Sequence, residues 1–506
     1  MARIPPAFTV RAAAVLVFTL VLGGVGTAAL ASNPSWSSPV NVTTPTTGEI
    51  DMEPHITIGA TGLAVAIWKH FDGAYLSVLA STSQSGRAWS TPTLISPASG
   101  YAGGEHISVD ASGRATAIWH FYDGTSSSIQ ASTSPDGGLT WFSQGRISSP
   151  SDDAYNAQIA VDPAGHATAV WERSNDGGST FSVEGSTSLN GDSWSSPVSV
   201  SGSGNSAYNA QLTVDNTGLA TAVWQRSNDG GNYSIQASTS QNGDRWSTPV
   251  NLSEDADNSI DAQVTVDQTG LTTAIWQSTS DGGTSYSVQS SSAKNRGSWS
   301  PLAIVAATGA YSAHVRISVD VSGLATAVWT SNVGSGNSIK VSNSQSGLPW
   351  STPTTISVSG QDSSAPFIAT DPAGRSTAVW SVDAGGTFRF LTSTSQNGDP
   401  WSTPVTVATP ETDARDPQIA IDSTGLATVI WSTLSGPIGW IQSSTVFNPI
   451  PGSPEIDPIS EPASLSDTGL ETTAMLLTGV VSLLLLVIGI GAINSQRVFR
   501  SVSRKD

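Results

Sequence analysis

The chain has no cysteine, and only 12% of its 506 residues are charged. Without cysteine no disulfide can hold the fold together, so packed apolar side chains must supply its stability. The 39 Asp and Glu residues outnumber the 20 Lys and Arg residues, which gives a formal net charge of −19. Because proteins that bind nucleic acid need a basic surface, this balance excludes nucleic acid as a partner.

Helical periodicity is also missing, whereas one eleven-residue pattern recurs along the chain. The copy at Val161–Trp171 reads V-D-P-A-G-H-A-T-A-V-W, and the similar stretches end in tryptophans spaced 51 to 53 residues apart. The closing tryptophans are Trp68, Trp119, Trp171, Trp224, Trp276, Trp329, Trp380 and Trp431. A period of this size is typical of a solenoid, a propeller or another repeat array.

Each copy of the pattern predicts two strands joined by a tight turn. Asp162–Gly165 has Asp first, Pro second and Gly fourth, as a type I turn prefers. We interpret the recurring aspartate as a turn residue that accepts bonds from its own backbone; a periodic metal ligand is the alternative. These aspartates are Asp110, Asp162, Asp215, Asp267, Asp320, Asp371 and Asp422.

A second tryptophan series runs in step with the first and predicts two further strands in each repeat. Its members are Trp36, Trp89, Trp141, Trp194, Trp246, Trp299, Trp350 and Trp401. Most of them open a W-S-T-P or W-S-S-P sequence before a short alternating run, and a strand such as Tyr233–Thr239 precedes them. Four strands per repeat fit a propeller blade.

The strands left over at the two ends predict a closed ring. Trp36–Thr43 is a fourth strand with nothing before it, and the last repeat, Gln418–Ser444, has only three strands. Joining them gives an all-β fold, an eight-bladed β-propeller of four-stranded antiparallel blades over residues 32–446. A ring leaves no exposed strand edge, whereas the alternative, an open solenoid, needs distinct capping repeats.

Both ends of the chain indicate export and anchoring. Residues 1–31 are typical of a signal peptide, since Arg3 and Arg11 precede an apolar run and small residues precede Ser32. A proline-rich spacer at residues 447–464 leads to residues 465–506, where the apolar Ala474–Ile493 and a basic tail predict a transmembrane anchor. We therefore expect an extracellular protein held at the cell surface.

The start of that anchor resembles a Gram-positive cell-wall sorting signal of the Leu-Pro-x-Thr-Gly type. Leu465, Thr468 and Gly469 match the motif, while Ser466 replaces its proline. The resemblance implies sortase as a partner and cleavage after Thr468. A plain membrane anchor is the alternative.

Ser134–Trp141 resembles an Asp-box, the S-x-D-x-G-x-x-W turn (BNR repeat) of sialidase-like β-propellers, and other repeats carry shortened versions. The resemblance implies a turn between the third and fourth strands of a blade. It also implies a clamp of three arginines, but the only R-I-P motif lies at residues 3–5, inside the signal peptide. Arg173 and Arg226 occupy equivalent places in successive repeats, which indicates copying. We identify no catalytic residue and expect no sialidase activity.

One face of the ring should carry the loops between second and third strands and those between blades. Variable loops on a rigid scaffold often bind ligands, so we predict a glycan or protein ligand here. The candidate binding residues are Tyr155, Asn156, Gln158, Tyr208, Asn209, Gln211, Gln263 and Arg316. Several form a polar ring at the channel mouth, where satisfying backbone groups at the strand starts is the alternative role.

Four histidines of the first two repeats are weak candidates for a metal site on this face: His55, His70, His106 and His120. Glu53 and Glu105 are close in sequence, and histidine–carboxylate clusters suit metal binding or proton transfer. The histidine pairs fall at equivalent places in neighbouring repeats, however, so duplication also explains them.

Together these features predict a monomeric, surface-anchored binding or adhesion module that uses no cofactor. One alternative is an exo-acting glycoside hydrolase that uses the histidine–carboxylate cluster. The other is a structural envelope protein without a specific ligand.

Overall fold

The computed structural model describes residues 35–447, apart from 205, 228–230, 308–310, 333, 335 and 409–412. These residues belong to one compact unit, Met1–Pro454; the second unit is Glu455–Asp506. The described part is all-β, with no helix in it and hence none that could cross a membrane. The predicted signal peptide, anchor and sorting residues Leu465, Thr468 and Gly469 lie outside the described residues.

Three long strands from every sequence repeat form the body of a sheet. The first strands are Ile50–Ile58, Tyr101–Val109, Asp153–Val161, Ala207–Val214, Asn258–Val266, Tyr311–Val319, Ser363–Thr370 and Asp413–Ile421. The second strands are Ala64–Phe71, Ala115–Tyr122, His166–Ser174, Leu219–Ser227, Leu271–Thr279, Leu324–Asn332, Arg375–Asp383 and Leu426–Ser435. The third strands are Leu76–Ser83, Ser127–Ser134, Ser182–Leu189, Tyr233–Gln241, Ser287–Lys294, Asn337–Gln345, Phe388–Gln396 and Ile438–Phe447.

The fourth strands are short and lie at the outer side of each sheet. In repeats 1 to 7 they are Thr93–Leu94, Phe142–Arg146, Ser193–Trp194 with Val198–Ser199, Val250–Asn251, Ala303–Ala306, Thr354–Thr355 and Val405–Ala408. In repeat 8 this place is taken by Val40–Asn41, which pairs antiparallel with Ser443 and Gln442. The predicted pairing of the N-terminal strand with the last repeat is therefore confirmed, over fewer residues than Trp36–Thr43.

Within each repeat the strands pair antiparallel in chain order. The first strands of neighbouring repeats lie side by side, and that of repeat 1 contacts the first strands of both repeat 2 and repeat 8. Such four-stranded antiparallel sheets are consistent with a propeller.

The first tryptophan series forms the core between successive sheets, and every member is fully buried. Trp171 packs on Ile118 and Ile129 of the preceding repeat. Trp68, in repeat 1, packs in the same way on Ile430 of repeat 8. Burial of a large apolar side chain contributes about 1.5–3 kcal/mol, so the repeated tryptophan explains how sheets adhere without disulfides.

The recurring aspartates hold the turns between first and second strands. The N–H groups of Ala164 and His166 donate to Asp162 Oδ1 at 2.9 and 2.8 Å, and Gly165 takes a φ of 86°. The same pair of backbone bonds is made by Asp110, Asp215, Asp267, Asp320, Asp371 and Asp422. The turn interpretation is confirmed.

A β-bulge interrupts each first strand near its beginning. In repeat 3 the pairing register shifts between Tyr155 and Gln158, and Asn156 takes a φ of 50°. The left-handed bulge residues are Glu53, Gly104, Asn156, Asn209, Asp261, His314, Ala365 and Asp416. This conformation costs a non-glycine residue about 1–2 kcal/mol, and a bulge re-aims the neighbouring side chains.

Candidate ligand-binding face

Five rings form a continuous aromatic row across repeats 2 to 4, on the face where the first strands begin. The centroid distances are 5.3 Å for His120–Tyr155, 6.0 Å for Tyr155–Phe181, 5.4 Å for Phe181–Tyr208 and 5.9 Å for Tyr208–Tyr233. All five side chains are partly exposed. The row therefore connects the predicted Tyr155 and Tyr208 through Phe181, which the sequence analysis did not name as a candidate.

Phe181 is placed by a tightly bonded turn between the second and third strands of repeat 3. Ser174 Oγ donates to Asp176 Oδ1 at 2.8 Å, and Gly178 N donates to Ser174 Oγ at 2.8 Å. Thr180 Oγ1 donates to Asp176 Oδ2 at 2.6 Å. These bonds, Thr180 first, lower the pKa of the Asp176 carboxyl to about 2. The turn thus fixes the backbone directly before the Phe181 ring.

The same bonding recurs in repeat 5. Thr279 Oγ1 donates to Asp281 Oδ1 at 2.7 Å, and Ser285 Oγ donates to Asp281 Oδ2 at 2.6 Å. The next residue, Tyr286, lies 5.4 Å from the ring of Tyr311. This turn therefore also leads directly into an aromatic contact on the candidate ligand-binding face.

Both turns share the sequence spacing of Ser134–Trp141. They read S-N-D-G-G-S-T-F and T-S-D-G-G-T-S-Y, against S-P-D-G-G-L-T-W. In the Ser134–Trp141 turn, too, Ser134 Oγ donates to Asp136 Oδ1 at 2.8 Å and Thr140 Oγ1 donates to Asp136 Oδ2 at 2.6 Å. A search for the Asp-box spacing that accepts any aromatic residue in place of the final tryptophan would therefore have identified Phe181 and Tyr286 from the sequence.

The bulge residue Asn209 is held by polar side chains of two second strands. Its N–H donates to Glu172 Oε1 at 2.8 Å, and its Nδ2 donates to Gln225 Oε1 at 2.9 Å. Gln225 Oε1 also accepts from the N–H of Asp261, the next bulge, at 3.0 Å. The predicted Asn156 occupies the equivalent bulge of repeat 3 and is exposed. Successive repeats are thus linked at the bulges.

The predicted polar ring at the channel mouth is formed only in part by mutual contacts. Gln158 Nε2 lies 3.0 Å from His106 Nε2, and the His106 ring lies 4.6 Å from that of His55. Burial lowers the pKa of His55 to about 4 and that of His106 well below its usual value. Both imidazoles are therefore neutral at pH 7.

Other members of that ring bond their own backbone, as the alternative reading expected. Gln263 Nε2 donates to the Ala262 carbonyl at 3.0 Å, and Arg316 Nη1 donates to the Val315 carbonyl at 2.9 Å. The Arg316 guanidinium also lies over the Phe367 ring, 4.9 Å from its centroid. Gln211 is partly exposed at the equivalent position.

The expectation that His70 and His120 are equivalent is wrong. His70 stands two residues after Trp68, and its Nδ1 lies 2.8 Å from Asp51 Oδ1, a bond that raises the pKa of His70. His120 stands one residue after Trp119, and burial lowers its pKa. Among the described residues, no three His, Cys, Asp or Glu side chains are grouped to hold a metal ion.

Glu105 is the one charged residue at a position that is apolar in every other repeat. The equivalents are Pro54, Ala157, Ala210, Ala262, Val315, Pro366 and Pro417. Its side chain is 1% exposed, and neither carboxyl oxygen accepts a hydrogen bond of normal geometry. Burial raises the pKa of Glu105 to about 8, against the opposing charge of Lys69. Lys69 forms an ion pair with Glu53, so a protonated carboxyl lies near that pair at neutral pH.

The arginines that could have formed a carboxylate clamp have other partners. Arg173 Nε lies 2.8 Å from Asp152 Oδ2, and Arg415 Nη2 lies 2.7 Å from Asp413 Oδ2. Arg226 Nη1 lies 3.7 Å from Asp255 Oδ1. Each ion pair is local to its own repeat or to the loop beside it, so these guanidinium groups are engaged away from any shared anion site.

Comparison with known proteins gives neither a matching family model nor a matching curated protein. Among solved structures, the chain is similar to the BP39L lectin of Burkholderia pseudomallei at 14% identity, over 71% of this chain and 99% of the lectin, with a TM-score of 0.49. An ulvan lyase of polysaccharide lyase family PL25 matches at 10% identity, over 80% and 95%, with a TM-score of 0.49. The Hadza microbial sialidase Hz136 matches at 11% identity, over 66% and 73%, with a TM-score of 0.36.

Proposed function

We propose that the protein is a binding module that takes an extended carbohydrate along the aromatic row. The observation that carries this proposal is the unbroken succession of rings, spaced 5.3 to 6.0 Å apart, from His120 to Tyr233. Rigid aromatic side chains supply contact area with little loss of conformational entropy. Sugar rings present apolar C–H faces and polar edges, which suits such a surface.

Polar groups beside the row complete a surface of this kind. Asn156 and Asn209 are exposed at the bulges, each directly after a tyrosine of the row. An amide offers both donors and an acceptor to hydroxyl groups. Because the Asn209 bulge is bonded to Glu172 and Gln225 of two second strands, its amide is held in place before a ligand arrives, which reduces the entropic cost of binding.

The architecture that we propose for this module is an eight-bladed propeller closed by Val40–Asn41. It is supported by the contact of the first strand of repeat 1 with that of repeat 8. We further propose that residues 465–506 hold the mature protein at a bacterial cell surface, covalently if sortase cleaves after Thr468. Thr468→Ala should then move the protein from the wall fraction to the membrane fraction, and an unchanged distribution would leave a plain membrane anchor.

The binding proposal is tested by titrating the purified protein with a panel of oligosaccharides in a calorimeter. Tyr155→Ala and Tyr208→Ala should each weaken binding by about 1 to 2 kcal/mol, roughly tenfold in affinity. Phe142→Ala is the control, because this ring is 57% exposed on a fourth strand outside the row. Equal affinity of all four proteins for every sugar that binds would refute the assignment.

Glycoside hydrolysis is a second candidate, for which Glu105 supplies the observation. A carboxyl that keeps its proton at neutral pH can act as a general acid. Its 1% exposure favours binding over catalysis, since a substrate must reach a catalytic acid. If the protein hydrolyses fluorogenic glycosides and Glu105→Gln abolishes that activity, hydrolysis and not binding would be the favoured function.

A further inference from the structure

A cleft separate from the aromatic row lies between the third-to-fourth strand turns of repeats 4 and 5. It has a volume of about 670 Å³ and is lined by Arg245 and Trp246 from one turn and by Arg296 and Trp299 from the next. Tyr233 and Gln241 are the two ends of the third strand of repeat 4. Ala237 of that strand lines the near end of the cleft, four residues or roughly 13 Å from Tyr233 at about 3.3 Å per residue, and the turn that carries Arg245 follows the far end of the strand.

The two tryptophans are anchored, and each is partly exposed. Trp246 Nε1 donates to the Gly243 carbonyl at 3.1 Å. Trp299 packs against the core cluster that contains Leu252 and Trp276. Both rings are therefore fixed before a ligand binds, and their free parts form an apolar wall of the cleft.

The two arginines supply positive charge that has no carboxylate partner. Both are exposed, and neither makes an ion pair with the residues that the structure describes. Arg296 Nη2 donates to Gln241 Oε1 at 3.3 Å, so it reaches across the gap to repeat 4. The lining contains no Asp or Glu, although Asp244 precedes Arg245 in the turn. In a chain of net charge −19, this arrangement favours an anion.

The arginine pair is a departure from the repeat. Residues that precede the second-series tryptophan in other repeats include Thr140, Ser193, Pro349 and Pro400. Repeat 1 has Arg87 in this turn, but its Nε donates to Thr445 Oγ1 at 3.2 Å. Duplication of one repeat therefore does not explain two arginines that face the same gap.

We propose that this cleft binds an anionic saccharide unit, that is, a sugar ring that carries a carboxylate or a sulfate group. The arginines bind the anion through charge-assisted hydrogen bonds, and the tryptophans contact the ring. The volume lies within the range of small-ligand sites. The five residues of the aromatic row include no Lys or Arg, so the two sites select different sugars.

Calorimetric titration of the protein with oligogalacturonate, a sulfated oligosaccharide and neutral cello-oligosaccharide tests this site. At least one anionic probe should bind, more weakly at high salt. Arg245→Gln combined with Arg296→Gln should weaken that binding at least about tenfold. Each single variant, Arg245→Gln and Arg296→Gln, should also weaken it, and Arg87→Gln is their matched control, because it removes one positive charge from the same turn of repeat 1. Tyr155→Ala, in the aromatic row, should leave the affinity for the anionic probe unchanged.

Binding of the uronate alone or of the sulfated sugar alone would identify the anion, and absence of both would overturn the proposal. An equal loss in Arg87→Gln would overturn it as well, since general charge attraction would then suffice. Chemical modification of the unmutated protein tests the site without depending on whether the variants fold. The bound anionic sugar should protect Arg245 and Arg296, but not Arg87, from phenylglyoxal; equal reactivity with and without the sugar would contradict the site.

Discussion

The ring of Tyr155 stacks on His120 of the preceding repeat, with 5.3 Å between centroids and 26° between planes. It also contacts Phe181 of its own repeat edge to face, with 6.0 Å between centroids and 67° between planes. Tyr155 therefore connects two sheets and links His120, the first ring of the row, to Phe181 and the rings that follow it. Because these two contacts hold the ring while part of it remains exposed, a ligand that lies on it does not have to order the side chain first.

The turn that holds Phe181 should matter for binding more than for folding. Asp176→Ala removes the acceptor for Ser174 and Thr180, whose bonds fix the chain before Phe181. We expect several-fold weaker carbohydrate binding and a small loss of thermal stability, measured by calorimetric titration and by circular dichroism on heating.

Asp136→Ala is the control for this prediction, because Asp136 makes the corresponding bonds with Ser134 and Thr140 in a turn at the opposite end of a sheet. It should cost similar stability and leave carbohydrate affinity unchanged. If both variants lose affinity equally, the effect is general loosening of the fold and not displacement of Phe181.

The repeat, the strand order and the turn chemistry could be predicted from the sequence because each depends on local patterns. Asp162 and its equivalents bond residues two and four positions along the chain, so no distant contact is needed to see their role. The pairing of Val40–Asn41 with the last repeat was also predictable, since counting strands was enough.

The burial of Glu105 could not be predicted from strand alternation. In a regular strand side chains alternate, so the buried Ala102 would place Glu105 on the exposed face. The bulge at Gly104 adds one residue and turns Glu105 inward. Likewise, Arg245 and Arg296 stand at different places in their turns, and only the packing of repeat 4 against repeat 5 brings them to one cleft.

The N-terminal strand should be essential for solubility. Deletion of residues 32–43 removes the bonds from Ser37 N to the Thr445 carbonyl and from Val42 N to the Ile441 carbonyl, both 2.8 Å long. The strand Ile438–Phe447 then becomes an open edge that can pair with other copies. Size-exclusion chromatography should show aggregates.

The single change Ser37→Ala keeps the strand and is the control for this deletion. It should elute as the unmodified protein does. A soluble deletion variant with unchanged elution and unchanged thermal stability would show that the closing strand is dispensable.

The buried carboxyl of Glu105 should make the protein less stable as the pH rises. Burial raises its pKa from 4.5 to about 8 in the folded state, so between these values the folded protein binds a proton that the unfolded chain has lost. The free energy of unfolding should therefore fall by about 4 kcal/mol as pH increases from about 4.5 to about 8. Glu105→Gln should remove this slope, because its amide does not titrate. Urea unfolding at pH 5, 7 and 9 measures the free energy of unfolding. Glu254→Gln is the control, because Glu254 is exposed. Parallel pH profiles for Glu105→Gln and the unmodified protein would mean that Glu105 is ionised in the fold, with Lys69 compensating its charge.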